Sequence, residues 1–421
     1  MIIVILLGGL GTRFKNDKLP KALIKVNEKE ILFHLLDNLI IPNTVKNVLI
    51  PYNPLYQKYK ICYLIQDRYP DVSFKFLEMT KNTSGAVETL DMVLEHFDIY
   101  KNDTPLMCLD CDNFYTEDII SKWIRTGCDN AVFTFKDELD SEIFCYIEVN
   151  DGSITRMEEK KKISNDAGTG SYCFRSSKEL KKCIIGYLKE FKEGECYISR
   201  LINYMIKNDF SFRSINVPNK HYYSLGTPEQ VEQYEKGILF DLDGTLVRTD
   251  FIYEKIWDML LKNRCDISVD NCFFKKFIQG KDDHKFLRIL FPDITDTEIK
   301  EISRKKDNLF INFLDQYKKD DLKNAIMIKG AYDFIKKNRN SKMCIVTSSN
   351  RSSAIKICEL LNFTEYIDLI VTSNDVSKRK PDPYPYTYAM EKMYVKSTNS
   401  FIFEDSINGY TSAMKTGCNN I

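Results

Sequence analysis

The sequence predicts an α/β protein with two sheets in two domains, and three observations carry that prediction. Short apolar runs alternate with stretches of helical periodicity, the pattern of a mostly parallel sheet. The alternation occurs twice, starting at residue 1 and again at residue 238. The length of 421 residues exceeds that of an ordinary single domain.

Strands of the first series are expected at residues 1–7, 45–51, 106–109 and 131–135. Those of the second are expected at 238–240, 343–346, 369–371 and 401–403. Between the first two strands of the second series, residues from about 252 to 337 have apolar positions at helical spacing, as in Ile256, Met259 and Leu260 or Phe310, Phe313 and Leu314. This stretch reads as a helical insertion. At Glu235-Lys236-Gly237 a charged helix end meets a glycine ahead of a new strand, which divides the chain into domains 1–236 and 237–421. The sequence contains neither a low-complexity linker nor an internal repeat.

Hydrophobic residues at 43% and charged residues at 29% are ordinary for a soluble globular protein and exclude wholesale disorder. Lys plus Arg equals Asp plus Glu at 60 each, so no general field draws the chain to nucleic acid or to an anionic membrane. Any anion must be caught locally. Thirteen scattered Cys residues fit reduced thiols in a cytoplasmic protein. Residues 1–7 are apolar but lack a basic leader and run straight into glycines, so they are expected as a buried strand and not a secretory leader. No run approaches the ~18 apolar residues that span a bilayer.

The first strand feeds Gly8-Gly9-Leu10-Gly11-Thr12-Arg13-Phe14, followed by Lys18-Leu19-Pro20-Lys21. Glycines after a strand let backbone N–H groups approach phosphate oxygens, while Arg13 and Lys21 add charge, an arrangement suited to a triphosphate. Phe14 stands where a dinucleotide fingerprint needs its third glycine, and there is no Walker A sequence. The combination resembles the sugar-phosphate nucleotidyltransferases, of glycosyltransferase-A type fold with a mixed α/β sheet, over residues 1–236. The resemblance makes Gly8, Gly9, Gly11 and Thr12 nucleotide-binding, and Thr83-Ser84-Gly85-Ala86 a base-recognition loop through Gly85. It places Asp112, with Asp110, at the metal-binding strand end Leu109-Asp110-Cys111-Asp112. It makes Glu159, Lys160 and Gly170 acceptor-binding, with Lys160 meeting the acceptor phosphate. In the closing segment Tyr223-Ser224-Leu225-Gly226-Thr227-Pro228, Ser224 stands where a second metal-binding Asp is often found. The metal would then rest on Asp112 and Asp110 with triphosphate oxygens and water.

Cys108 and Cys111 form a C-x-x-C, but on a strand their offset of three places them on opposite faces, so buried thiols are expected and not zinc. His34, His96, His221 and His284 show no ligand spacing.

In the second series, Asp241 and Asp243 in Phe240-Asp241-Leu242-Asp243-Gly244-Thr245 follow an apolar strand, where two carboxylates can share a cation. A calcium loop would need further oxygen ligands immediately downstream, and they are absent. Residues 237–421 instead resemble the haloacid dehalogenase superfamily, in its phosphoglycolate phosphatase and β-phosphoglucomutase subgroup, a Rossmann-like core with an α-helical cap. The resemblance makes Asp241 the nucleophile that forms an aspartyl-phosphate and Asp243 the general acid and base. Thr347 becomes the phosphate-binding hydroxyl and Lys380 the neutralising lysine. The metal set is Asp241, Asp243, Glu404 and Asp405. Gly280-Lys281 lies in the cap, either on its substrate face or in a plain loop. A mutase of that subgroup carries a hinge His twelve positions after the nucleophile and a cap Arg. Here those positions hold Tyr253 and Asp283, which favours hydrolysis. The chain stops at Ile421 where the superfamily usually continues, so the sheet is expected either to lack an edge or to be completed by a partner.

The reading is a cytoplasmic enzyme that requires Mg²⁺ at both sites. Its partners are a nucleoside triphosphate and a phosphorylated small molecule, a sugar phosphate or a choline phosphate-like compound. No nucleic acid or membrane partner is expected, and the sequence leaves oligomeric state open. Two alternatives stand beside it: a phosphosugar mutase in the C-terminal half, or an N-terminal half that binds nucleotide without catalysis.

Overall fold

The computed structural model describes residues 1–9, 14, 19–139, 141–279, 281–316 and 319–421. Two compact units emerge, Met1–Glu232 and Gln233–Ile421.

The first unit is built on a nine-stranded sheet. Its strands are β1 (Ile2–Leu6), β2 (Asn47–Tyr52), β3 (Phe74–Glu78), β4 (Leu106–Asp110), β5 (Ala131–Lys136), β6 (Cys145–Asn150), β7 (Ser153–Glu159), β8 (Asp166–Phe174) and β9 (Arg213–Asn216). Their order is β3-β2-β1-β4-β8-β5-β9-β7-β6. The expected parallel pairing holds for the first four strands in that order. Beyond β4 it gives way to antiparallel pairing with β8. At the far edge, β6 and β7 are joined by Asp151-Gly152, both at positive φ (47° and 77°), a tight hairpin that leaves no room for the crossover helix a parallel pair needs. Ile2, Val4, Leu106 and Cys108 pack beneath the helix Ala86–His96 through its Val87, Leu90, Val93 and Leu94. This apolar floor fixes the ends of β1 and β4, where the conspicuous carboxylates and glycines sit.

The second unit has four parallel strands, β10 (Gly237–Phe240), β11 (Lys342–Val346), β12 (Leu369–Val371) and β13 (Ser400–Phe403), in the order β12-β11-β10-β13. All four residues of β10 are buried, as befits a central strand covered on both faces. Ile238 and Phe240 join the core on one face and Leu239 the core on the other, so the period of two is used fully. Past β13 the sheet is extended by a single parallel bridge between Phe401 and Asn420, with Ile402 N–H donating to Asn420 O at 2.8 Å.

The insertion contains the helices Asp250–Cys265, Asp283–Leu290, Asp296–Asp315 and Lys319–Ile326. Its own core gathers Trp257, Leu261, Phe286, Leu287, Ile299 and Ile302, with Trp257 and Phe286 edge to face at 4.9 Å. The helix Asp296–Asp315 starts at a capping box: Thr295 accepts from Glu298 N–H while Glu298 reaches back to Thr295 N–H. The helix Ala331–Lys337 lies within the span expected for the insertion, but through Ile335 it packs with Ile238 and Met343 of the sheet.

All thirteen cysteines are free. Among the described residues no helix is long and apolar enough to cross a membrane.

Candidate active sites

In the first unit, Leu7 continues β1 with its N–H donating to Pro51 O at 3.1 Å, and delivers Gly8 and Gly9 to the carboxyl end of the parallel strands. A Cβ on Gly8 would lie 3.1 Å from Met79 Sδ, whereas Gly9 has open space beside it. Gly11, Thr12 and Arg13 lie outside the described residues. Met79, Asn53, Gln57, Lys58, Thr80 and Asn82 line a cavity of about 530 Å³ past the ends of β2 and β3.

Asp110 closes β4 in register with Leu6, which sets it next to the glycine turn. Lys21 places its Nζ 2.5 Å from Asp112 Oδ2. Burial works against the Lys21 ammonium, but Asp112, Cys111 and Asp110 outweigh it and raise its pKa. Asp110 is pushed up to about 8 by burial and by the charge of Asp112, with Lys21 opposing. Gly170, at φ 82°, backs this carboxylate closely. A Cβ there would lie 2.5 Å from Asp110 Oδ2 and 2.6 Å from Asn113 Nδ2.

The closing segment reaches the same carboxylates. Tyr222–Ser224 pairs with Asn113–Tyr115, Ser224 opposite Asn113, and Leu225 N–H donates to Asp112 O at 2.8 Å. Ser224 is buried, and a Cβ on Gly226 would lie 2.9 Å from Asp112 Oδ2. Glu159, which acts on Asp110 electrostatically, ends β7 and accepts from Ser199 Oγ at 2.5 Å. Lys160 follows in a left-handed conformation (φ 54°), its Nζ 3.3 Å from Tyr197 OH. Gly85 packs its α-carbon against the Cys196 backbone, where a Cβ would come within 2.7 Å of Cys196 N and O. The contact is sewn by Cys196 N–H to Ser84 O and Val87 N–H to Cys196 O.

The histidines serve structure here: His34 bonds Val26 O at 2.9 Å and His221 bonds Thr116 Oγ1 at 2.8 Å. Cys108 and Cys111 are buried thiols, pushed up in pKa by burial, Cys111 to about 12.

In the second unit the sequence-predicted residues arrive from four strand ends. Asp241 follows β10, Thr347 follows β11, Glu404 and Asp405 follow β13, and Lys380 comes from the loop after β12. Lys380 is buried, with Nζ 2.7 Å from Asp241 Oδ1, 2.5 Å from Glu404 Oε1 and 2.7 Å from Val346 O. Tyr386 OH donates to the same Glu404 oxygen at 2.6 Å, and its ring lies under the ammonium with the centroid at 4.9 Å. Burial, then Glu404 and Asp243, push Asp241 up to about 7 against the pull of Lys380.

Asp241, Glu404 and Asp405 offer ligand oxygens within 4.8 Å of one another, a donor set that fits a hard divalent cation. The Asp243 side chain stands outside that trio. Its carboxylate accepts from Thr249 Oγ1 at 2.5 Å, Ser349 Oγ at 2.7 Å and Thr347 Oγ1 at 3.5 Å. Thr249, Ser349 and Tyr386 were not singled out from sequence. Ser349 sits inside the quoted Thr-Ser-Ser run, but hydroxyls and a tyrosine carry too little type-specific signal to be picked out without coordinates. Gly280 lies outside the described residues, and Lys281 donates to Lys276 O.

Both units match known families. Residues 2–237 match the family model described as nucleotidyl transferase, and residues 238–421 match haloacid dehalogenase-like hydrolase. Over 184 residues the chain is 25% identical to validoxylamine A 7'-phosphate phosphatase of Streptomyces hygroscopicus subsp. limoneus, covering 43% of this chain and 82% of that protein. Over 191 residues it is 25% identical to a phosphorylated carbohydrates phosphatase of Thermotoga maritima, covering 44% and 83%. A nucleoside-diphosphate-sugar pyrophosphorylase structure from Vibrio cholerae aligns at 19% identity and TM-score 0.48, over 55% of this chain and 97% of that one. The chain therefore belongs to the nucleotidyl transferase family and carries, fused behind that domain, a haloacid dehalogenase-like hydrolase domain.

Proposed function

We propose that the protein is a bifunctional enzyme of activated-sugar or small-alcohol metabolism. One domain transfers a nucleotidyl group from a nucleoside triphosphate to a sugar-1-phosphate-like acceptor, and the other hydrolyses a phosphomonoester. The observation that carries the hydrolase reading is the buried Lys380 ammonium joining Asp241 to Glu404 beside Asp405, with Asp243 held apart by three hydroxyls.

In the hydrolase, Asp241 attacks phosphorus and the bond to the leaving oxygen breaks as Asp243 gives that oxygen a proton. Asp243 then takes a proton from water, whose oxygen attacks the aspartyl-phosphate and frees Asp241 and inorganic phosphate. Lys380 offsets the like charges of carboxylate and phosphate, and Thr347 holds a phosphate oxygen. In the transferase, an acceptor phosphate oxygen attacks the α-phosphorus and pyrophosphate leaves, with Arg13 and Lys21 countering the developing charge. Gly8, Gly9, Gly11 and Thr12 cradle the triphosphate, Gly85 belongs to the base loop, and Glu159 and Lys160 meet the acceptor. Magnesium would be held by Asp241, Glu404 and Asp405 in one domain and by Asp110 and Asp112 in the other, where it would supply positive charge to phosphate oxygens.

A second reading of the first domain, nucleotide binding without transfer, draws on Ser224 in its buried place and on Asp112 being paired with Lys21. One experiment decides between them. ³¹P NMR follows the full chain with Mg²⁺, each common nucleoside triphosphate and a panel of sugar and choline phosphates, with Asp241→Asn protein alongside. A new diphosphate diester with pyrophosphate is expected in one combination. Inorganic phosphate alone, lost in Asp241→Asn, would leave a phosphatase with a nucleotide-binding appendage. The fusion supports reading the two reactions as consecutive steps, a reading that fails when neither site accepts a compound the other makes or consumes.

A further inference from the structure

The cap presents a set of charges that the hydrolase mechanism does not use. Lys306, on the helix Asp296–Asp315, holds its Nζ 2.5 Å from Asp283 Oδ2 and 3.5 Å from Asp307 Oδ1. Ser303 Oγ donates to the same Asp283 oxygen at 2.9 Å. The ammonium is mostly buried and lies 5.9 Å from the ring centroids of both Tyr253 and Trp257.

This cluster adjoins the catalytic carboxylates. Tyr253, stacked on Phe310 at 4.7 Å, donates its N–H to Thr249 O at 3.1 Å, and Thr249 Oγ1 donates to Asp243 at 2.5 Å. Asp243 and Asp283 both act on the Tyr253 phenol. Asp250, at the start of the first cap helix, acts on Asp405 electrostatically. Among the described residues, two nearby cations are otherwise engaged. Arg379 pairs with Asp282, and Lys281 donates to Lys276 O and lies 5.7 Å over Phe277. Lys275 is exposed and acts on Asp250. Among the described residues the cap thus carries Asp250, Asp283 and Asp307, with one buried ammonium, Lys306, that two of them already hold and with Lys275 acting on Asp250 from the surface.

From Lys306 held between Asp283 and Asp307 beside Tyr253 and Asp243, we infer that the hydrolase takes phosphomonoesters whose organic part is uncharged or cationic. Hexose and aminohexose phosphates have that character. Substrates with a second phosphate or a carboxylate are selected against, because a second anion would meet carboxylates in a poorly screened site where, among the described residues, the buried ammonium is already held by two of them. This inference rests on the phosphatase reading and names the substrate class of that site.

The test compares kcat/KM of the full chain with Mg²⁺ for a hexose 6-phosphate, an aminohexose 6-phosphate, a hexose 1,6-bisphosphate and phosphoglycolate. Para-nitrophenyl phosphate and the Asp241→Asn protein serve as reference. The two anion-bearing substrates are expected at least about tenfold below the first two. Asp283→Asn leaves Lys306 with Asp307 as its one carboxylate partner and narrows that ratio several-fold through KM, while Lys306→Met widens it. A merely structural role would move both variants in the same direction, and Asp283→Ser repeats the charge change with a smaller side chain. Equal turnover of phosphoglycolate or the bisphosphate would overturn the inference and leave the phosphatase standing, as would a ratio indifferent to both variants. Failure to hydrolyse any phosphomonoester, para-nitrophenyl phosphate included, would overturn both readings.

Discussion

Gly244 and Asp405 lie so close that a Cβ on the glycine would fall 2.0 Å from Asp405 Oδ2, and Gly244 also sits at φ 98°. The turn after Asp243 therefore excludes every side chain for two reasons, backbone conformation and the space that Asp405 occupies. Gly244→Ala must displace Asp405 from Asp241 and Glu404, on top of a backbone cost of about 1–2 kcal/mol. Hydrolysis of para-nitrophenyl phosphate is expected to fall roughly 100-fold or more, the scale of losing one preorganised electrostatic contact. Pyrophosphate release by the other domain should persist, and steady-state assays of both activities on one preparation check this.

Lys380 is the only cation that any described contact places on Asp241 and Glu404. Replacing it with Met leaves two buried carboxylates facing each other, a change of the kind that costs about 3–5 kcal/mol. Lys380→Met is thus expected to abolish hydrolysis and to shift the urea midpoint of the second unit strongly downward. Adding Glu404→Gln removes one of the stranded charges, so the double variant should be more stable than Lys380→Met while remaining inactive. A double variant less stable than the single would show that repulsion between carboxylates is not what Lys380 relieves.

Gly170 separates two roles. Its resemblance-based place is acceptor binding, whereas its α-carbon abuts Asp110 and Asn113. If its function is to support Asp110, Gly170→Ala lowers kcat of nucleotidyl transfer by about tenfold or more with little change in acceptor KM, because the displaced group is a carboxylate of the reacting centre. A rise in acceptor KM with kcat preserved would return the glycine to acceptor binding.

What the sequence revealed follows from which signals are local. The parallel strands announce themselves because buried strands are continuous apolar runs, and their carboxyl ends carry the motif residues: Asp110 and Asp112 after one, Asp241 and Asp243 after another. Beyond β4 only β5 was legible as an apolar run. β7 alternates only loosely between buried and exposed, with Arg156 and Glu158 among its residues, and β9 offers four residues with one buried. Gly170 showed the same limit, since a glycine looks alike whether it meets a ligand or makes room for Asp110. So did the hydroxyls around Asp243: Thr249 and Ser349 converge from segments 100 residues apart, which no spacing rule encodes.

Asp37 supplies a pH signature remote from both sites. On the helix Ile31–Asn38 its carboxylate meets Lys29 Nζ at 2.6 Å, Arg68 Nη2 at 2.7 Å and Tyr69 OH at 2.5 Å. Burial alone would raise its pKa, but bonds from Lys29, Tyr69 and Arg68 prevail and hold it below the ordinary carboxylate value. A group whose folded pKa is depressed stabilises the fold above its unfolded pKa, near 3.9, and loses that contribution as pH falls through the folded value. Asp37→Asn should therefore cost about 1 kcal/mol at pH 7, the upper range for a partly exposed ion-pair network. The gap between variant and parent should narrow once pH falls through the depressed folded pKa, where Asp37 of the parent is itself protonated. Urea unfolding of the first unit at pH 7 and along a descending acid series measures it. A gap that stays constant across the range would assign the cost to packing of the side chain and not to its charge.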